Sequence, residues 1–220
     1  MIRLEFHTHT IFSPDSLTTP EKLVAACRRK GIDRVVVTDH NTIRGALAAR
    51  ELAPEMVIVG EEIMTTRGEL LTAFVREEIP AGLDPEDAIA RLRDQGAFIS
   101  VSHPFDSLRS GSWRFSDLES IAHLVDAVEV FNSRCIFRAQ NSRAAEFAAA
   151  HRLLKTVGSD AHGVSELGCS TIRLDHFDDA ASLRESLRTA EFDTRRSPPW
   201  AMGISRYAKI RKAWGKITKN

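Results

Sequence analysis

The sequence is poor in cysteine and in long apolar runs. Its three cysteines, Cys27, Cys135 and Cys169, are odd in number and far apart, so neither a disulfide framework nor a cysteine zinc clip is expected. The apolar runs are far shorter than the ~20 residues of a membrane-spanning helix. Charged Arg3 and Glu5 stand where a secretion signal would need its apolar core. We therefore expect a cytoplasmic protein without a membrane span.

Acidic residues are missing from the end of the chain. The sequence has 30 cations and 30 acids, but no acid follows Asp193 and eight cations do, so residues 1–193 hold 22 cations against 30 acids and a net charge of −8. At 220 residues and 43% hydrophobic composition, the chain can bury one sizeable core. Ser197-Pro198-Pro199 is the plausible boundary. We expect one domain over residues 1–196 and a basic tail or helix over residues 197–220.

Short β-branched segments alternate with helical patterns along the chain. The predicted strands are Ile2–Phe6, Arg34–Thr38, Met56–Val59, Leu70–Val75, Phe98–Ser102, Ala127–Phe131, Lys155–Val157 and Ser170–Leu174. The predicted helices are Pro20–Lys30, Arg44–Leu52, Pro85–Gln95, Asn141–Leu153 and Asp179–Thr189. This alternation predicts parallel strands joined by helical crossovers, as an α/β sheet or a closed barrel. Functional residues are then expected at the carboxyl ends of the strands.

Histidines and carboxylates collect at the ends of these strands. His7 and His9 end the first strand, and because alternate strand residues face the same side, His-x-His directs two imidazoles toward one point. The other strand ends carry Asp39, His40, Glu61, Glu62, His103, Asp160 and His162. Any one such histidine is more often a hydrogen-bonded, half-buried residue, but burying the whole set without a cation would be costly. Such ligands suit zinc, manganese or iron, and their number predicts two or three divalent metal ions.

Five motifs stand in order along the chain. They are His7-Thr8-His9-Thr10 with Ser13-Pro14-Asp15, Thr38-Asp39-His40-Asn41, Gly60-Glu61-Glu62-Ile63, Ser102-His103-Pro104 and Gly158-Ser159-Asp160-Ala161-His162. Together they resemble the motifs of the PHP (polymerase and histidinol phosphatase) family. They follow the family's order and span most of the chain. The resemblance implies a distorted (β/α)7 TIM-like barrel with a trinuclear metal site that hydrolyses phosphate esters.

The resemblance also implies how the ligands are shared among the metals. The first metal would take His7, His9, Glu62 and Asp160. Glu62 would bridge to a second metal that also uses His103, and a third metal would take Asp15, His40 and His162. Asp39 resembles a carboxylate that orients the ligand histidine from behind. Glu62 is preferred to Glu61 because the family's ligand directly precedes an isoleucine, and neighbouring strand residues face opposite ways.

One position departs from the family's pattern. Many members have a histidine on the strand after the bridging glutamate, where this chain has Glu69 in Gly68-Glu69-Leu70-Leu71. Glu69 can bind the second metal through a carboxylate oxygen, which favours manganese or iron over zinc there. Alternatively, Glu69 is exposed to solvent and the second site is weak or absent.

The expected chemistry is metal-assisted hydrolysis. Metal binding lowers the pKa of water from ~16 toward ~7, so a metal-bound hydroxide is available as the nucleophile near neutral pH. The candidate catalytic residues are Asp39, Asp160 and His162; Asp160, His162 or a metal-bound water would protonate the leaving group. The candidate substrate-binding residues, in loops beyond the strand ends, are Arg109, Arg114, Arg134 and Asn132. Each of these four is equally consistent with an ordinary surface residue or turn cap.

The basic tail admits two interpretations. Its apolar and basic residues recur at helical intervals and would suit a nucleic-acid backbone or an acidic lipid surface. The commoner outcome is a docked helix that lays Ile210, Trp214 and Ile217 across the barrel and leaves its lysines in water. We favour the docked helix, because the acidic body would repel a long polyanion.

The leading hypothesis is a metal-dependent phosphoesterase that acts on a small phosphorylated metabolite or a nucleotide. Its nearest rival is a 3'-5' exonuclease or phosphodiesterase that acts on oligonucleotides. Amidohydrolases also use His-x-His on the first strand, but no lysine stands at a strand end here for a carboxylated bridge. The last alternative is a noncatalytic metal-binding module, which would bind metal tightly and turn over no phosphate ester.

Overall fold

The computed structural model describes residues 1–217, and their side chains through Trp214. Within that range the strands are β1 (Ile2–Thr8), β2 (Arg34–Val37), β3 (Val57–Met64), β4 (Glu69–Ala73), β5 (Phe98–Val101), β6 (Ala127–Asn132), β7 (Leu154–Gly158), β8 (Ser170–Leu174) and β9 (Glu191–Thr194). The α-helices are α1 (Pro20–Arg29), α2 (Arg44–Leu52), α3 (Pro85–Asp94), α4 (Phe115–Ile121), α5 (Arg138–Ala150), α6 (Ala180–Leu187) and α7 (Ala201–Ile217). A 3-10 turn follows α4 at Ala122–Leu124.

The strands form one nearly closed, barrel-shaped sheet in the order β7-β6-β5-β4-β3-β2-β1-β8-β9. The chain segments that follow β1 and β7 join the two ends of the barrel wall. Ala161 N–H donates to the His7 carbonyl at 3.1 Å, and His9 N–H donates to the Ala161 carbonyl at 2.9 Å. Strands β1 to β7 therefore form the barrel wall, and β8 and β9 extend the sheet beyond it. This confirms the α/β, TIM-like barrel that the sequence predicts.

The expectation of parallel strands throughout is wrong. β1, β2 and β3 are parallel neighbours, as are β5, β6 and β7, but β4 is antiparallel to both β3 and β5. The β3–β4 connection is a tight turn in which Thr65 N–H donates to the Gly68 carbonyl at 3.0 Å. A parallel pair needs a crossover of a dozen or more residues, so this short turn forces the antiparallel arrangement. β8 is antiparallel to β1 and β9.

Helix boundaries follow the local signals in the sequence. The Thr19 and Asp84 side chains accept backbone N–H groups at the starts of α1 and α3, and a proline opens each helix. Gly31 and Gly96 adopt φ angles of 64° and 74° just after these helices end, which glycine does without steric cost. The sequence analysis missed α4, which has no side-chain cap, and β9, whose residues are all exposed and show no alternating burial.

Alternation along β1 separates the hydrophobic core from the polar interior of the barrel. Leu4 and Phe6 belong to the core, and the Phe6 ring packs edge-on against Phe98. Glu5 and His7 face the other way and are fully buried among polar groups. Burying an apolar side chain such as Leu4 contributes about 1.5–3 kcal/mol. This packing makes the barrel a rigid support for the polar residues at its mouth.

The C-terminal helix α7 packs on the barrel through a face different from the expected one. Ala201 and Ala208 are buried, whereas Ile210 and Trp214 are 53% and 70% exposed. The prediction that Ile210 and Trp214 lie across the barrel is therefore wrong, and the side chain of Ile217 lies outside the described residues. Small alanines let the helix approach closely and bring its polar side chains to the barrel mouth. Among residues 1–217, none of the helices has the length and apolar character that crossing a bilayer requires.

Candidate metal centre

The candidate ligands come from separate segments of the chain and converge at one end of the barrel. They are His7 in β1, His9 directly after β1, Asp15 and His40 in two loops, Glu62 in β3, Glu69 in β4, His103 after β5, and Asp160 and His162 after β7. All are buried except His40, whose side chain is 20% exposed. The strand order therefore gathers nine residues that span 156 positions of sequence.

Backbone features beneath the ligands allow this convergence. A Cβ atom on Gly158 would lie 2.4 Å from His7 Cβ and 2.5 Å from a Glu129 oxygen, so only glycine permits β7 to approach β1 this closely. Asp160 then adopts a φ of 51°, a left-handed conformation that aspartate tolerates better than most residues. That turn directs the Asp160 carboxylate back toward His7 and His9.

The first donor group consists of His7, His9, Glu62 and Asp160. His7 Nε2 lies 3.3 Å from Glu62 Oε2 and 3.7 Å from Asp160 Oδ1, and His9 Nε2 lies 3.4 and 3.3 Å from the same two oxygens. The two imidazole nitrogens are 3.1 Å apart. Four donors at ~2.1 Å from a tetrahedral ion lie ~3.4 Å from one another. The spacing therefore fits a single cation.

The second donor group shares Glu62. His103 Nε2 lies 3.1 Å from Glu62 Oε1 and 3.5 Å from Glu69 Oε2, and His40 Nδ1 lies 3.8 Å from Glu69 Oε1. Since Glu62 presents Oε2 to the first group and Oε1 to His103, its carboxylate connects the two groups.

The third donor group surrounds Asp15. Its two oxygens lie 3.2 Å from His162 Nε2 and 3.6 Å from His40 Nε2. The ring of His9 is within 4.5 Å of the rings of both His40 and His162, measured between centroids. A third cation position therefore adjoins the first.

Unpaired polar atoms indicate what the centre is built to hold. Among the described residues, Asp15 Oδ1, Glu62 Oε2 and Asp160 Oδ1 are buried and accept no hydrogen bond. A buried carboxylate oxygen without a partner is strongly destabilising. All three oxygens point at imidazole nitrogens at distances that suit a shared cation, so the residues fit divalent metal ions.

The carboxylates and imidazoles of the centre compensate one another's charge. Burial would raise the pKa of Glu62, but the charges of His7 and His40 hold it well below its usual range. Burial would lower the pKa of His7 and His40, but the charge of Glu62 holds both well above the usual value. A metal binds ionised carboxylates and neutral imidazoles, so it would take the place of these protons.

Glu69 is buried at the centre, so the alternative of a solvent-exposed Glu69 is wrong. Only 6% of the residue is accessible. Burial raises its pKa, and the nearby charge of Glu62 raises it further. A cation between the two carboxylates would relieve this repulsion. Gly111 gives Glu69 its space, since a Cβ there would lie 1.9 Å from Glu69 Oε2.

Glu129 of β6 orients two of the candidate ligands. Its Oε1 lies 2.9 Å from His7 Nδ1, and its Oε2 accepts the His103 backbone N–H at 2.9 Å and Asn132 Nδ2 at 3.1 Å. A carboxylate at Nδ1 favours the tautomer whose Nε2 lone pair faces the metal. Sequence reasoning missed Glu129, although an acid between Val128 and Val130 inside a predicted strand was a detectable signal.

Asp39 lies behind the centre. It accepts hydrogen bonds from the backbone and side chain of Thr10 at 2.6 and 2.5 Å and from Ser13 Oγ at 2.6 Å. Ser13 in turn lies 3.0 Å from His9 Nδ1 and accepts the His40 backbone N–H. The geometry thus links Asp39 to His9 through Ser13, and it does not bring Asp39 to the cavity.

Glu61 points away from the centre, on the opposite side of β3 from Glu62. Its Oε2 accepts the Ile79 N–H at 3.0 Å. Burial raises the pKa of Glu61 to about 8, so its carboxyl group is largely protonated at neutral pH. Alternation along the strand separates these two neighbours as the sequence suggests.

An open cavity of about 530 Å³ lies over the centre. Its wall includes four candidate ligands (Asp15, His40, Glu69 and His162), the barrel residues Leu108, Arg109, Ser110 and Arg134, and the α7 residues Met202, Ser205, Arg206 and Lys209. Its size is typical of a site for a small-molecule ligand.

The four expected substrate-binding residues are placed differently from one another. Arg109 and Arg134 line the cavity. Asn132 is buried below it, with Nδ2 donating to Glu129 and to Asp160 at 3.3 Å. Arg114 is exposed at the start of α4 and is not part of the cavity wall. Two cations of α7, Arg206 and Lys209, line the cavity instead, and no sequence signal singled them out from the other basic residues of the tail.

Comparison with known proteins relates the chain to one family. The model of the PHP domain matches residues 5–109, and the PHP-associated model matches residues 138–192. An uncharacterized protein of Methanocaldococcus jannaschii is 36% identical over 146 residues, which cover 60% of this chain and 82% of that protein.

Two solved structures share the fold. A protein of Bifidobacterium adolescentis, provisionally assigned as a metal-dependent phosphoesterase, has a TM-score of 0.64 at 19% identity over 84% of this chain and 95% of its own. The lesion-specific endonuclease of Pyrococcus furiosus has a TM-score of 0.59 at 16% identity over 87% of this chain and 57% of its own. The barrel, the convergent ligands and the matches to the family models together show that the chain belongs to the PHP domain family.

Proposed function

We propose that this protein is a phosphoesterase that hydrolyses phosphate esters of small metabolites or nucleotides. One observation carries the proposal: Glu62 joins two donor groups, and a third adjoins them at the base of one cavity. Adjacent cations suit phosphate esters because together they face the attacking, nonbridging and leaving oxygens of one phosphorus. The structural neighbours support it, since their names denote a phosphoesterase and an endonuclease.

The proposed ligand assignment follows the three donor groups, and His40, which adjoins two of them, is assigned to the third through the contact of its Nε2 with Asp15. The first cation takes His7, His9, Glu62 and Asp160; the second takes Glu62, Glu69 and His103; the third takes Asp15, His40 and His162. Divalent metals bound there, with manganese, iron and zinc as candidates, supply activation of water near neutral pH and compensation of the phosphate charge. Glu69 brings a hard oxygen donor to the second group, which favours manganese or iron there.

The remaining residues keep these ligands in the form that binds metal. Glu129 holds the His7 ring by its Nδ1, and Asp39 acts on His9 through Ser13. We therefore propose Asp39 as a positioning residue and not as a catalytic one.

Asp160 and His162 act as ligands in this proposal and not as acids. Asp160 Oδ2 receives Arg109 Nη1 at 2.5 Å and Asn132 Nδ2 at 3.3 Å, so this carboxylate is an acceptor. His162 Nε2 lies 3.2 Å from Asp15 Oδ1, a distance at which one cation can bind both atoms.

The test combines metal analysis with a substrate panel. The purified protein is analysed for bound metal and is then assayed on phosphomonoesters, phosphodiesters and nucleotides with manganese, iron and zinc. We expect His9→Ala and Asp160→Ala to abolish turnover with the circular dichroism spectrum retained. His176→Ala is the matched control, because the His176 side chain is 66% exposed and lies outside the centre. Wild-type rates in both ligand variants would refute the proposed site.

A second candidate is cleavage of oligonucleotides, which the cationic residues of α7 at the cavity favour. Binding to nucleic acid weakens steeply with salt, because phosphate contacts release counterions. A nuclease would cleave an oligonucleotide with a strong salt dependence and would lose that activity when Arg206 is replaced. Hydrolysis of small monoesters that exceeds oligonucleotide cleavage at every salt concentration would exclude this candidate.

A further inference from the structure

The cations of the cavity wall fall into two sets that differ in their partners. Arg109 donates from Nε to Asp106 at 3.0 Å and from Nη1 to Asp160. Both of these carboxylates are at least 97% buried. The charge of Arg109 is therefore already compensated within the protein.

Arg134 is 7% exposed, and its nitrogens lie close to other groups of the protein. Its Nε lies 3.3 Å from an oxygen of the fully buried Glu166, and Nη1 lies 2.7 Å from His162 Nδ1. Its Nη2 donates to the Ala201 carbonyl at 3.2 Å and to Ser205 Oγ at 2.8 Å. Arg134 thus joins β6, the third donor group and the start of α7, which leaves little donor capacity for a substrate.

Arg206 and Lys209 of α7 are in a different situation. Among the described residues, no carboxylate lies within ion-pair distance of Arg206, which is exposed and lines the cavity. Lys209 Nζ lies 3.4 Å from Asp15 Oδ2, and its side chain is 62% exposed. Within the described part of the chain, Asp15 is the one carboxylate that Lys209 contacts, and it is a candidate ligand of the third cation, whereas Arg109 keeps a second partner, Asp106, that is not a candidate ligand. Arg206 and Lys209 are therefore the cavity cations that remain available to an anion.

Helix α7 holds these two cations in place. Ala201 and Ala208 are buried against the barrel, and Arg134 binds the first turn of the helix. Farther along, Lys212 Nζ donates to the Ile11 carbonyl at 2.6 Å and to the Ser13 carbonyl. The helix is therefore attached to the barrel on two sides of the cavity, and Arg206 and Lys209 lie between these attachments. Residues three apart on a helix are neighbours on its surface, so the two side chains can act on one anion.

We propose that Arg206 and Lys209 of α7 form the site that binds the anionic group of the substrate, and that Arg109 and Arg134 serve the metal centre instead. This inference rests on the proposed phosphoesterase function for the identity of the anion, which is a phosphate. It makes the C-terminal helix part of the active site. It also separates substrate affinity, which α7 determines, from metal binding, which the barrel determines.

The experiment compares Arg206→Ala and Lys209→Met with Arg211→Ala in the full-length, metal-loaded protein. Arg211 is an exposed cation on the same helix and is not part of the cavity wall. We expect each cavity variant to raise the KM for a small phosphate ester about tenfold, the scale of one charge-assisted hydrogen bond, with a smaller effect on kcat. Arg206→Lys should recover part of the loss. Arg211→Ala should stay close to wild type.

Two further measurements separate this inference from the proposed function. Titration calorimetry with inorganic phosphate reports anion binding without turnover, and metal analysis reports the centre. Should no phosphate ester be hydrolysed, the phosphoesterase proposal fails, but about tenfold weaker phosphate binding in Arg206→Ala would still support the anion site. Unchanged KM and unchanged phosphate affinity in both cavity variants would overturn it. Loss of bound metal in Arg206→Ala would overturn it too, because the helix would then act on the centre and not on the substrate.

Discussion

The carboxylate of Glu129 offers a strict test of how the metal centre is held. The variant Glu129→Gln keeps the size and shape of the side chain but replaces one acceptor oxygen with an NH₂ donor. In the wild-type structure three donors face this carboxylate: His7 Nδ1, the His103 N–H and Asn132 Nδ2. With either orientation of the amide, the glutamine places its NH₂ group against at least one of these donors.

The expected magnitude follows from those contacts. Loss of an orienting carboxylate typically lowers metal affinity about 10–100-fold, which is about 1.4–2.7 kcal/mol. Glu129 is 1% exposed, so water cannot replace the lost hydrogen bonds, and a buried hydrogen bond to a charged group contributes about 1.5–3 kcal/mol. For a chain of this length, each kcal/mol lowers the melting temperature by about 2–4 °C.

The assay is competition with a chromogenic chelator at fixed pH, followed by thermal melting with and without metal. The matched control is Glu61→Gln, a buried glutamate that faces away from the centre. Because burial raises the pKa of Glu61 to about 8, the wild-type side chain is largely neutral near pH 7, and an amide should change little. Metal affinity in Glu129→Gln equal to that of Glu61→Gln would refute the orienting role.

Three other predictions concern the stability of the protein and the assembly of its metal centre. Asp126 is partly buried, which raises its pKa, but hydrogen bonds from Arg184 and Arg93 reverse this and lower it below the usual value. Its contribution to stability is therefore complete above about pH 4 and is lost as the pH falls further. Urea unfolding of Asp126→Asn should show about 1–2 kcal/mol less stability at pH 7, because Arg93 and Arg184 are 35% and 29% exposed and stay solvated. A difference that persists at pH 2 would contradict this. Gly45→Ala should weaken metal binding, because its Cβ would lie 2.0 Å from Asp39 Oδ2; Gly203→Ala, which meets nothing within 4 Å, is the control. Removal of metal by a chelator should lower the melting temperature, because ligand binding to the folded state stabilises it; an unchanged melting curve would count against a metal centre.

Local sequence was sufficient for the features that depend on neighbouring residues. Thr19 and Asp84 capped their helices because a side-chain oxygen, a proline and the first-turn N–H groups lie within four positions of one another. The period of two along β3 predicted that only one of Glu61 and Glu62 faces the centre, and the resemblance to the family indicated Glu62. His-x-His likewise directed His7 and His9 toward one point. The alternation of strands and helices predicted an α/β sheet or barrel with functional residues at its strand ends, and the resemblance to the family implied the barrel.

The tertiary structure decided everything that depends on which distant groups meet. The partners of Arg109 and Arg134 are carboxylates elsewhere in the chain, so only the folded structure shows that their charges are already compensated. The antiparallel β4 follows from the reach of one short turn, and the orientation of α7 follows from the close fit of Ala201 and Ala208 against the barrel. Hydrophobic periodicity pointed to Ile210 and Trp214, but packing at a polar mouth favoured small side chains and long cations. A sequence pattern shows which residues carry a charge, whereas burial and ion pairing in the folded structure determine which of those charges remain available to a ligand.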